Sequence, residues 1–252
     1  MNDVTETEIE PAPLVLAPET AMPERITEQK TALREAYRML RKGIAPDVRK
    51  KANKVILNKL VASQSVASAK TILIYAATPN EPGFDDVIAS LTRAGKKVAV
   101  PRMTKTPGVM TLWVVRHMDA LVSLEHLPIR NVDVTRAVPI EPKDIDLVLV
   151  PGLAFTATLG RLGQGGGYYD RLFPRLRENV KRIGVGYALQ IAESLPLEAH
   201  DVPMHAVITE ASVFGDEALL APIPAAQNAP VPENISPKTD EITPTIAAES
   251  NP

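Results

Sequence analysis

A glycine-rich segment, RLGQGGGYYDR at residues 161–171, contains the residue types best suited to chemistry. Glycine allows positive φ and close approach of the backbone to a ligand. Consecutive N–H groups ahead of a helix can then surround phosphate oxygens. Asp170 offers a carboxylate to Mg²⁺, which prefers carboxylate and phosphate oxygens, and Arg161 and Arg171 offer positive charge. The segment therefore indicates a phosphate-binding loop.

Two widespread phosphate loops differ from this segment. The Walker loop ends in Gly-Lys-Ser/Thr, whereas this one ends in Gly-Tyr-Tyr. The dinucleotide-binding fingerprint opens a helix directly after a strand, but here residues 153–162 intervene, and Tyr168 stands where the third glycine belongs. From the glycines alone, a flexible surface hairpin stays open as an alternative.

Composition limits the function classes. The chain has 252 residues, 45% of them hydrophobic, which is enough for one domain with a substantial core or for two small ones. The absence of cysteine excludes disulfides, thiolate metal sites and a thiol nucleophile. No apolar run approaches the ~20 residues of a membrane helix, and the acidic start MNDVTETEIEPAP differs from a secretory signal. We therefore expect a cytoplasmic protein with no membrane contact.

Charge is distributed unevenly along the chain. Residues 1–29 carry a net charge of −6 and residues 216–252 one of −5, which leaves +9 for the middle because the total is −2. The two ends also hold 11 of the 23 prolines. Such acidic, proline-rich ends bury too little apolar surface to offset chain entropy. We predict a disordered acidic N-terminal tail (1–26), an α/β domain (27–215) and a disordered Pro/Ala-rich C-terminal tail (216–252).

Predicted strands and helices alternate through the central part. Apolar runs predict strands at 71–77, 97–101, 111–115, 146–152, 182–188 and 205–210, and helices are predicted at 27–42, 46–64 and 84–94, after the glycine loop and from Leu189. Strands that are apolar throughout are typical of parallel sheets covered on both faces. We predict an α/β fold: a single three-layer domain with a mostly parallel sheet and helices on both faces. The glycine loop should lie at the carboxyl edge of that sheet, where such folds bind ligands.

Other candidate residues have ordinary interpretations when each is taken alone. Lys30 and Arg34 are four residues apart and lie on one face of the predicted helix 27–42, which could be an ordinary solvated charged face. Glu81 stands beside proline and glycine, as a loop acid would, and Asp201 follows a histidine and could cap a turn. The occurrence of all these residues together, in this order along the chain, is stronger evidence for a functional site than any one of them alone.

That set resembles the 5-formyltetrahydrofolate cyclo-ligase family, also called methenyltetrahydrofolate synthetases, over about residues 28–213. The most specific match is VPGLAF at 150–155 followed by GRLGQGGGYYDR at 160–171. Further matching segments are KTALR at 30–34, AATPNEPGFDDVI around Glu81, GKKVAVPR at 95–102, GYALQ at 186–190 and HDVPMHAVITE at 200–210.

The resemblance implies an ATP- and Mg²⁺-dependent ring closure. In the family, 5-formyltetrahydrofolate becomes 5,10-methenyltetrahydrofolate, with release of ADP and phosphate. The expected course is phosphorylation of the formyl oxygen, attack by the second folate nitrogen and loss of phosphate. Such chemistry needs positioning and charge neutralisation more than a nucleophilic side chain. The expected partner is the folate substrate, with no nucleic acid, and we expect a monomer.

The resemblance also implies roles for individual residues. Lys30, Arg161, Tyr168 and Asp170 would be catalytic, Glu81 and Tyr169 would bind the folate, and Asp170 and Asp201 would bind Mg²⁺. ATP would contact Lys30, Thr31, Ala32, Leu33, Arg34, Arg161, Leu162, Gly163, Gln164, Gly165, Gly166, Gly167, Tyr168 and Tyr169.

Departures from the family pattern lie on the folate side. The family usually has Gly-Ile-x-Glu-Pro in a short loop that helps to wall the folate pocket. In the corresponding segment here, LEHLPIRNVDVTRAVPIEP at 124–142, Ile129 aligns with the isoleucine, but Asn131 and Val132 stand where Glu-Pro is expected. Phe84 stands where threonine is common, and Thr156 where aspartate is frequent. Two alternatives therefore stay open: a related ATP-dependent ligase with a different substrate, and a non-catalytic relative that binds nucleotide or RNA.

Overall fold

The computed structural model of the protein describes residues 23–123 and 129–223. The predicted disorder of the two tails therefore falls mostly outside the described residues. Five α-helices lie in the described part: α1 (Pro23–Lys42), α2 (Pro46–Val61), α3 (Gln64–Ser68), α4 (Asp85–Arg93) and α5 (Tyr168–Leu172). Its thirteen strands are β1 (Thr71–Leu73), β2 (Lys97–Met103), β3 (Met110–Val115), β4 (Leu121–Val122), β5 (Asn131–Val132), β6 (Val138–Ile140), β7 (Leu147–Pro151), β8 (Ala154–Thr156), β9 (Arg161–Leu162), β10 (Lys181–Val185), β11 (Ile191–Ala192), β12 (Ala206–Ile208) and β13 (Val213–Gly215).

Eight of these strands form the main sheet, in the order β13-β12-β10-β7-β1-β2-β3-β6. The five central strands, β12 to β2 in that order, are mutually parallel. At one edge of the sheet, β3 pairs antiparallel with β2 and β6 pairs antiparallel with β3. At the other edge, β13 pairs antiparallel with β12. The predicted α/β class and mostly parallel sheet are confirmed. Two smaller sheets accompany it in the described residues: β11-β8-β9 and β4-β5.

Alternate residues of the central strands enter two separate cores. Ile72, Val98 and Leu149 face one core, which α2, α3 and α4 cover. Leu73 and Val150, one residue out of phase, face the other core, because successive strand side chains point to opposite faces. α5 and the turn after it cover that second core, with Phe155 of β8. Both faces are therefore covered, which gives the three predicted layers.

Several element boundaries differ from the sequence predictions. The helix predicted at 46–64 ends at Val61, and Ser63 caps a separate α3 by accepting a hydrogen bond from the Val66 N–H. The helix after the glycine loop has only five residues, because Pro174 has no N–H to continue it. The segment from Leu189 belongs to a 3-10 turn, Ala188–Gln190. The β8–β9 hairpin, which the sequence analysis left as a loop, precedes the glycines directly.

The face that α1 buries also differs from the predicted apolar stripe. Leu33 and Tyr37 pack on the β8–β9 hairpin and β11 as expected, but Leu40 is 53% exposed. Lys30 and Arg41 are buried instead, at 6% and 5% exposure. Positions 30, 37 and 41 share one helix face because the helix repeats every 3.6 residues. The buried face of α1 therefore contains basic residues as well as apolar ones.

The packed chain extends beyond the predicted domain boundary at residue 215. Leu220 is buried, and Pro222 forms a β-bridge with Ser63. The Ile223 N–H donates to the Ala62 carbonyl, at 2.9 Å. Residues 216–223 were assigned to the tail because of their proline and alanine content, and this assignment was wrong. They close the junction between α2 and α3.

We predict that a chain ending at Ile223 is as stable as the full chain, whereas one ending at Glu217 is less stable. The shorter chain loses the buried Leu220 side chain, worth about 1.5–3 kcal/mol, and the backbone hydrogen bonds at the α2–α3 junction. Urea unfolding of the three chains measures the difference. Equal unfolding midpoints for the two truncated chains would contradict the assignment.

Candidate active site

The glycine loop, residues 163–167, lies beyond the carboxyl end of β7 and is carried there by the β8–β9 hairpin. Gly165 and Gly167 have φ of +97° and +65°, which favour glycine. A methyl group on Gly166 would lie 2.8 Å from the Tyr168 ring, so this position also requires glycine. These constraints give the loop a fixed shape rather than the open hairpin of the alternative interpretation.

Three arginines bind carbonyl and amide oxygens of this loop. Arg34 donates through Nε to the Gly163 carbonyl, at 3.1 Å. Arg38 donates through Nε to Oε1 of Gln164, at 3.0 Å. Arg171 donates to the Gly166 carbonyl, at 3.0 Å. With its carbonyls engaged, the loop is surrounded by positive charge from α1 and α5.

Arg161 and Asp170 form an ion pair beside the loop, with 2.7 Å between Nη2 and Oδ1. The Arg161 side chain is buried, and its guanidinium lies 5.7 Å from the centroid of the Tyr169 ring and 5.8 Å from that of Phe173. Its Nε has no hydrogen-bond partner among the described residues. Arg161 and Asp170, both predicted site residues, are thus in direct contact, and the Arg161 Nε remains free to donate a hydrogen bond.

Lys30 contacts two carboxylates. Its Nζ lies 2.6 Å from Oε2 of Glu198 and 2.7 Å from Oδ2 of Asp201. Burial lowers the pKa of Lys30, but the hydrogen bonds and charges of the two acids outweigh burial and raise it above its usual value. Burial works against ionisation of Asp201 too, yet the Lys30 ammonium and the Glu198 N–H leave its pKa lowered.

Glu81 forms a second buried ion pair with α1. Its Oε1 accepts from Nη1 of Arg41, at 3.1 Å, and its Oε2 accepts from the Thr78 N–H, at 2.9 Å. Arg41 also donates to the Gly152 carbonyl, at 3.3 Å. Gln190, fully buried, donates to the same carbonyl at 2.8 Å. Glu81 therefore belongs to a fixed polar cluster and is not a solvated loop acid.

Three tyrosines surround this cluster. Burial is the main cause that raises the pKa of Tyr75 and Tyr169, and burial raises that of Tyr187 to about 12. The Tyr75 hydroxyl donates to the Pro82 carbonyl, whereas the buried Tyr169 hydroxyl has no hydrogen-bond partner among the described residues. All three phenols stay neutral near pH 7, and the Tyr169 hydroxyl remains available as a hydrogen-bond donor.

A cleft of about 360 Å³ opens beside Glu81. Ile129 and Arg130, from the segment that departs from the family pattern, line it, and Arg130 pairs with Asp85 at 2.7 Å. The remaining lining residues are Ala77, Thr78, Pro79, Gly83 and Ser123. Residues 124–128 of the same segment lie outside the described part of the chain.

The model of the 5-formyltetrahydrofolate cyclo-ligase family matches residues 26–210. The chain belongs to this family. The family is one of ligase enzymes, so the chain is assigned to that class.

Individual relatives agree with the assignment. The chain is 28% identical to the 5-formyltetrahydrofolate cyclo-ligase of Escherichia coli K12, over 70% of this chain and 98% of the relative. It is also 28% identical to a probable 5-formyltetrahydrofolate cyclo-ligase of Caenorhabditis elegans, over 73% of this chain and 94% of the relative. The structure of 5,10-methenyltetrahydrofolate synthetase from Aquifex aeolicus superposes with a TM-score of 0.64 at 25% identity, covering 74% of this chain and 92% of that one.

The family-specific departures have local structural roles. Phe84 packs edge-on against Tyr75, with ring centroids 5.0 Å apart. The Thr156 hydroxyl accepts from the Gly160 N–H at 2.9 Å and so closes the β8–β9 turn. Asn131 and Val132 form β5, which pairs with β4. Phe84 and Thr156 thus stabilise the walls around the site, and neither leaves an unpaired charge.

Not every candidate residue contacts the loop. Thr31 and Ala32 are exposed on α1, and the Thr31 hydroxyl donates to the Thr27 carbonyl. Leu33 and Leu162 are packing residues. Conversely, the sequence analysis missed Glu198 and Gln190, and it gave Arg41 no role in the site. The sequence does contain a signal for Arg41, because it lies seven residues after Arg34 and eleven after Lys30 and so shares their helix face. It contains no comparable signal for Glu198.

Carboxylates are the candidate metal ligands of the site. Within residues 23–123 and 129–223, no group of three His, Cys, Asp or Glu side chains is arranged to hold a metal ion. Asp170 and Asp201 sit in separate ion pairs. Mg²⁺ commonly takes one or two carboxylates together with phosphate oxygens and water. The two aspartates fit that mode, in which a nucleotide supplies the remaining ligands.

None of the described helices has the length and apolar character needed to cross a membrane.

We predict that Asp201→Asn lowers the free energy of unfolding by about 1–3 kcal/mol at pH 7, because the buried ammonium of Lys30 loses a charged partner. A lowered carboxyl pKa stabilises the fold above the unfolded-state value of about 3.9 and loses this effect as the pH falls. The difference in the free energy of unfolding between wild type and Asp201→Asn should therefore shrink below about pH 4.

Urea unfolding between pH 7 and pH 3 tests this prediction. Asp119→Asn is the control, because its ion pair with Arg136 is exposed and such pairs contribute less than about 1 kcal/mol. A deficit for Asp201→Asn that stays constant over this pH range would show that the ion pair is not its source.

Proposed function

We propose that the chain converts 5-formyltetrahydrofolate to 5,10-methenyltetrahydrofolate, using ATP and Mg²⁺ and releasing ADP and phosphate. The observation that carries the proposal is the convergence of Arg34, Arg38 and Arg171 on the glycine loop, next to the Glu81 cleft. Membership of the family supplies the identity of the reaction. For its setting we propose a cytoplasmic monomer whose partner is the folate, since a chain without cysteine suits a reducing compartment.

The glycine loop would bind the phosphates of ATP. Its N–H groups, at Gly165 to Gly167, offer donors, and Lys30, Arg34 and Arg161 offer positive charge. Two of these cations already pair with carboxylates in the described structure, Lys30 with Asp201 and Arg161 with Asp170. Phosphate binding would let each cation exchange a carboxylate for a phosphate oxygen. Asp170 and Asp201 would then be available to hold Mg²⁺, which neutralises phosphate charge when bound.

The folate would occupy the cleft beside Glu81. The Glu81 carboxylate, fixed by Arg41 and Thr78, would accept hydrogen bonds from ring N–H groups of the substrate. The Tyr169 ring lies beside Arg161, whose guanidinium is 5.7 Å from the ring centroid, and the buried Tyr169 hydroxyl has no hydrogen-bond partner among the described residues. Tyr168 and Tyr169 would pack near the reacting atoms, where the Tyr169 hydroxyl can donate. The protein's contribution is to hold the formyl oxygen next to the terminal phosphate in a site with little water.

The reaction itself is a balanced transfer. The formyl oxygen takes the terminal phosphoryl group and ADP leaves. The second folate nitrogen attacks the activated carbon and gives up its proton, and the former formyl oxygen departs with the phosphoryl group as hydrogen phosphate. No protein nucleophile is required, which agrees with a cysteine-free chain. The positive charge of Lys30 and Arg161 would stabilise the charge that develops on the transferred group.

A ligase with a different acceptor is the second candidate. It is favoured by one observation: Asn131 and Val132 stand where the family has Glu-Pro, in the same segment whose Ile129 and Arg130 line the cleft. Such an enzyme would keep ATP binding and show no turnover with 5-formyltetrahydrofolate. A purely RNA-binding relative has no such support, since aromatic residues are only 4% of the chain and single-stranded RNA is bound through stacking aromatics.

We predict that the purified protein forms methenyltetrahydrofolate, seen by its near-ultraviolet absorbance, only when ATP, Mg²⁺ and 5-formyltetrahydrofolate are all present. Lys30→Ala and Asp170→Asn should each lower kcat/KM by about 100-fold or more, because the first removes a cation that would stabilise the transition state and the second removes a proposed ligand of Mg²⁺. Lys42→Ala, which removes an exposed charge of α1 next to the site-facing residues, is the matched control and should act like wild type.

The outcomes separate the candidates. ATP binding without product formation would favour the ligase with a different acceptor. Near-normal turnover in both Lys30→Ala and Asp170→Asn would contradict the residue roles.

A further inference from the structure

Arg41 has an environment unlike that of an ordinary arginine in the last turn of a helix. Such residues usually extend into solvent, yet Arg41 is almost completely buried. Burying a guanidinium is unfavourable unless its charge and its N–H groups are matched. Only part of that requirement is met, since the Arg41 Nε has no hydrogen-bond partner among the described residues. A buried, incompletely satisfied charge of this kind calls for a reason beyond packing.

The partners of Arg41 come from two different parts of the site. Glu81 belongs to the loop after β1, which lines the cleft, and Gly152 follows β7, which leads through the β8–β9 hairpin to the glycine loop. Arg41 itself belongs to α1, whose Arg34 binds that loop. One guanidinium therefore connects the helix that carries the nucleotide cations with the loop that carries the cleft carboxylate.

The Glu81 carboxylate is fixed from two sides. The Thr78 N–H binds Oε2 and Arg41 binds Oε1, so that its plane cannot turn without losing a hydrogen bond. Each carboxylate oxygen accepts more than one hydrogen bond. The free acceptor positions of Glu81 therefore keep a constant direction, as binding a pair of ring N–H groups requires.

The other polar groups around this pair do not replace Arg41. The Tyr75 hydroxyl is already bound to Pro82. Gln190 binds the Gly152 and Leu153 carbonyls, so the loop after β7 keeps a second support without Arg41. Glu81 has no second cation partner in the described residues.

We propose that Arg41 is a positioning residue for the folate: it keeps the Glu81 carboxylate oriented towards the N–H donors of the substrate ring. This inference rests on the proposed function. It assigns to the end of α1 a role on the folate side, in addition to the nucleotide side served by Lys30 and Arg34. Arg41 acts through Glu81 and is not itself a catalytic residue.

The test compares Arg41→Met, Arg41→Lys and the control Lys42→Met in steady-state kinetics, with the KM for 5-formyltetrahydrofolate and the KM for ATP measured separately. Arg41→Met should raise the folate KM by about 10-fold or more, the usual effect of a lost charge-assisted hydrogen bond, while the ATP KM changes less than about 3-fold. Arg41→Lys, which keeps the charge but not the planar guanidinium, should fall between wild type and Arg41→Met. Lys42→Met should behave as wild type.

A second comparison separates positioning from stability. In a Glu81→Gln background, Arg41→Met should raise the folate KM by less than about 3-fold further, because the group that Arg41 positions is already altered. Unfolding curves of all variants show which are folded, and Arg41→Lys tests the inference if Arg41→Met does not fold.

Three results would overturn the inference. An unchanged folate KM in a folded Arg41 variant shows that Arg41 does not position Glu81. Parallel increases in the folate and ATP KM values show a general structural role. Full additivity with Glu81→Gln shows that the two residues act separately. Wild-type protein that binds ATP but does not turn over 5-formyltetrahydrofolate overturns the proposed function, and this inference with it, whereas active wild type with unaffected Arg41 variants overturns the inference alone.

Discussion

Burial of two cations on one face of α1 is the constraint on which the site depends. Lys30 and Arg41 are eleven residues apart, about 16 Å along the helix, and each is buried against carboxylates from distant parts of the chain. A buried charge without a counter-ion destabilises a protein by several kcal/mol, so neither end of this face can move away from its partners. The helix is thereby fixed in rotation and in position along its axis. Arg34, between the two, is directed at the Gly163 carbonyl as a consequence.

The main sheet supplies the other half of this arrangement. Its parallel strands end at one edge, and the loops after β1 and β7 leave from there with Glu81 and the glycine loop. Phe155 packs against Gly152, Gly184 and Gly186, at each of which a side chain would lie within about 3 Å of its ring. The β8–β9 hairpin is thus seated closely on the sheet, and the glycine loop at its end is placed accurately. In the proposed function, nucleotide and folate bind at two separate loops that α1 connects.

Sequence reasoning reached the fold class and the glycine loop because both have local signals. The apolar run before Gly152 predicts a buried strand, and dense glycine followed by tyrosines and an acid predicts a constrained loop. It did not find the antiparallel edge strands β6 and β13, since three-residue strands have too little periodicity to recognise. Arg41 received no role because helix periodicity does not distinguish a solvated cation from one whose carboxylate lies 40 residues away. Residues 216–223 were assigned to a tail because their composition resembles the segment after them, while their order depends on contacts with Ala62 and Gln64.

The central claim is that α1 and the glycine loop together form one phosphate site. The most direct measurement is calorimetric titration of ATP, in the presence of Mg²⁺, into wild type, Arg34→Met and the exposed α2 control Lys51→Met. The account predicts ATP binding to Arg34→Met at least about 10-fold weaker than to wild type, as expected for the loss of one charge-assisted contact, and unchanged affinity for Lys51→Met. Equal affinity for wild type and a folded Arg34→Met variant would contradict it, because the phosphates would then bind independently of the helix.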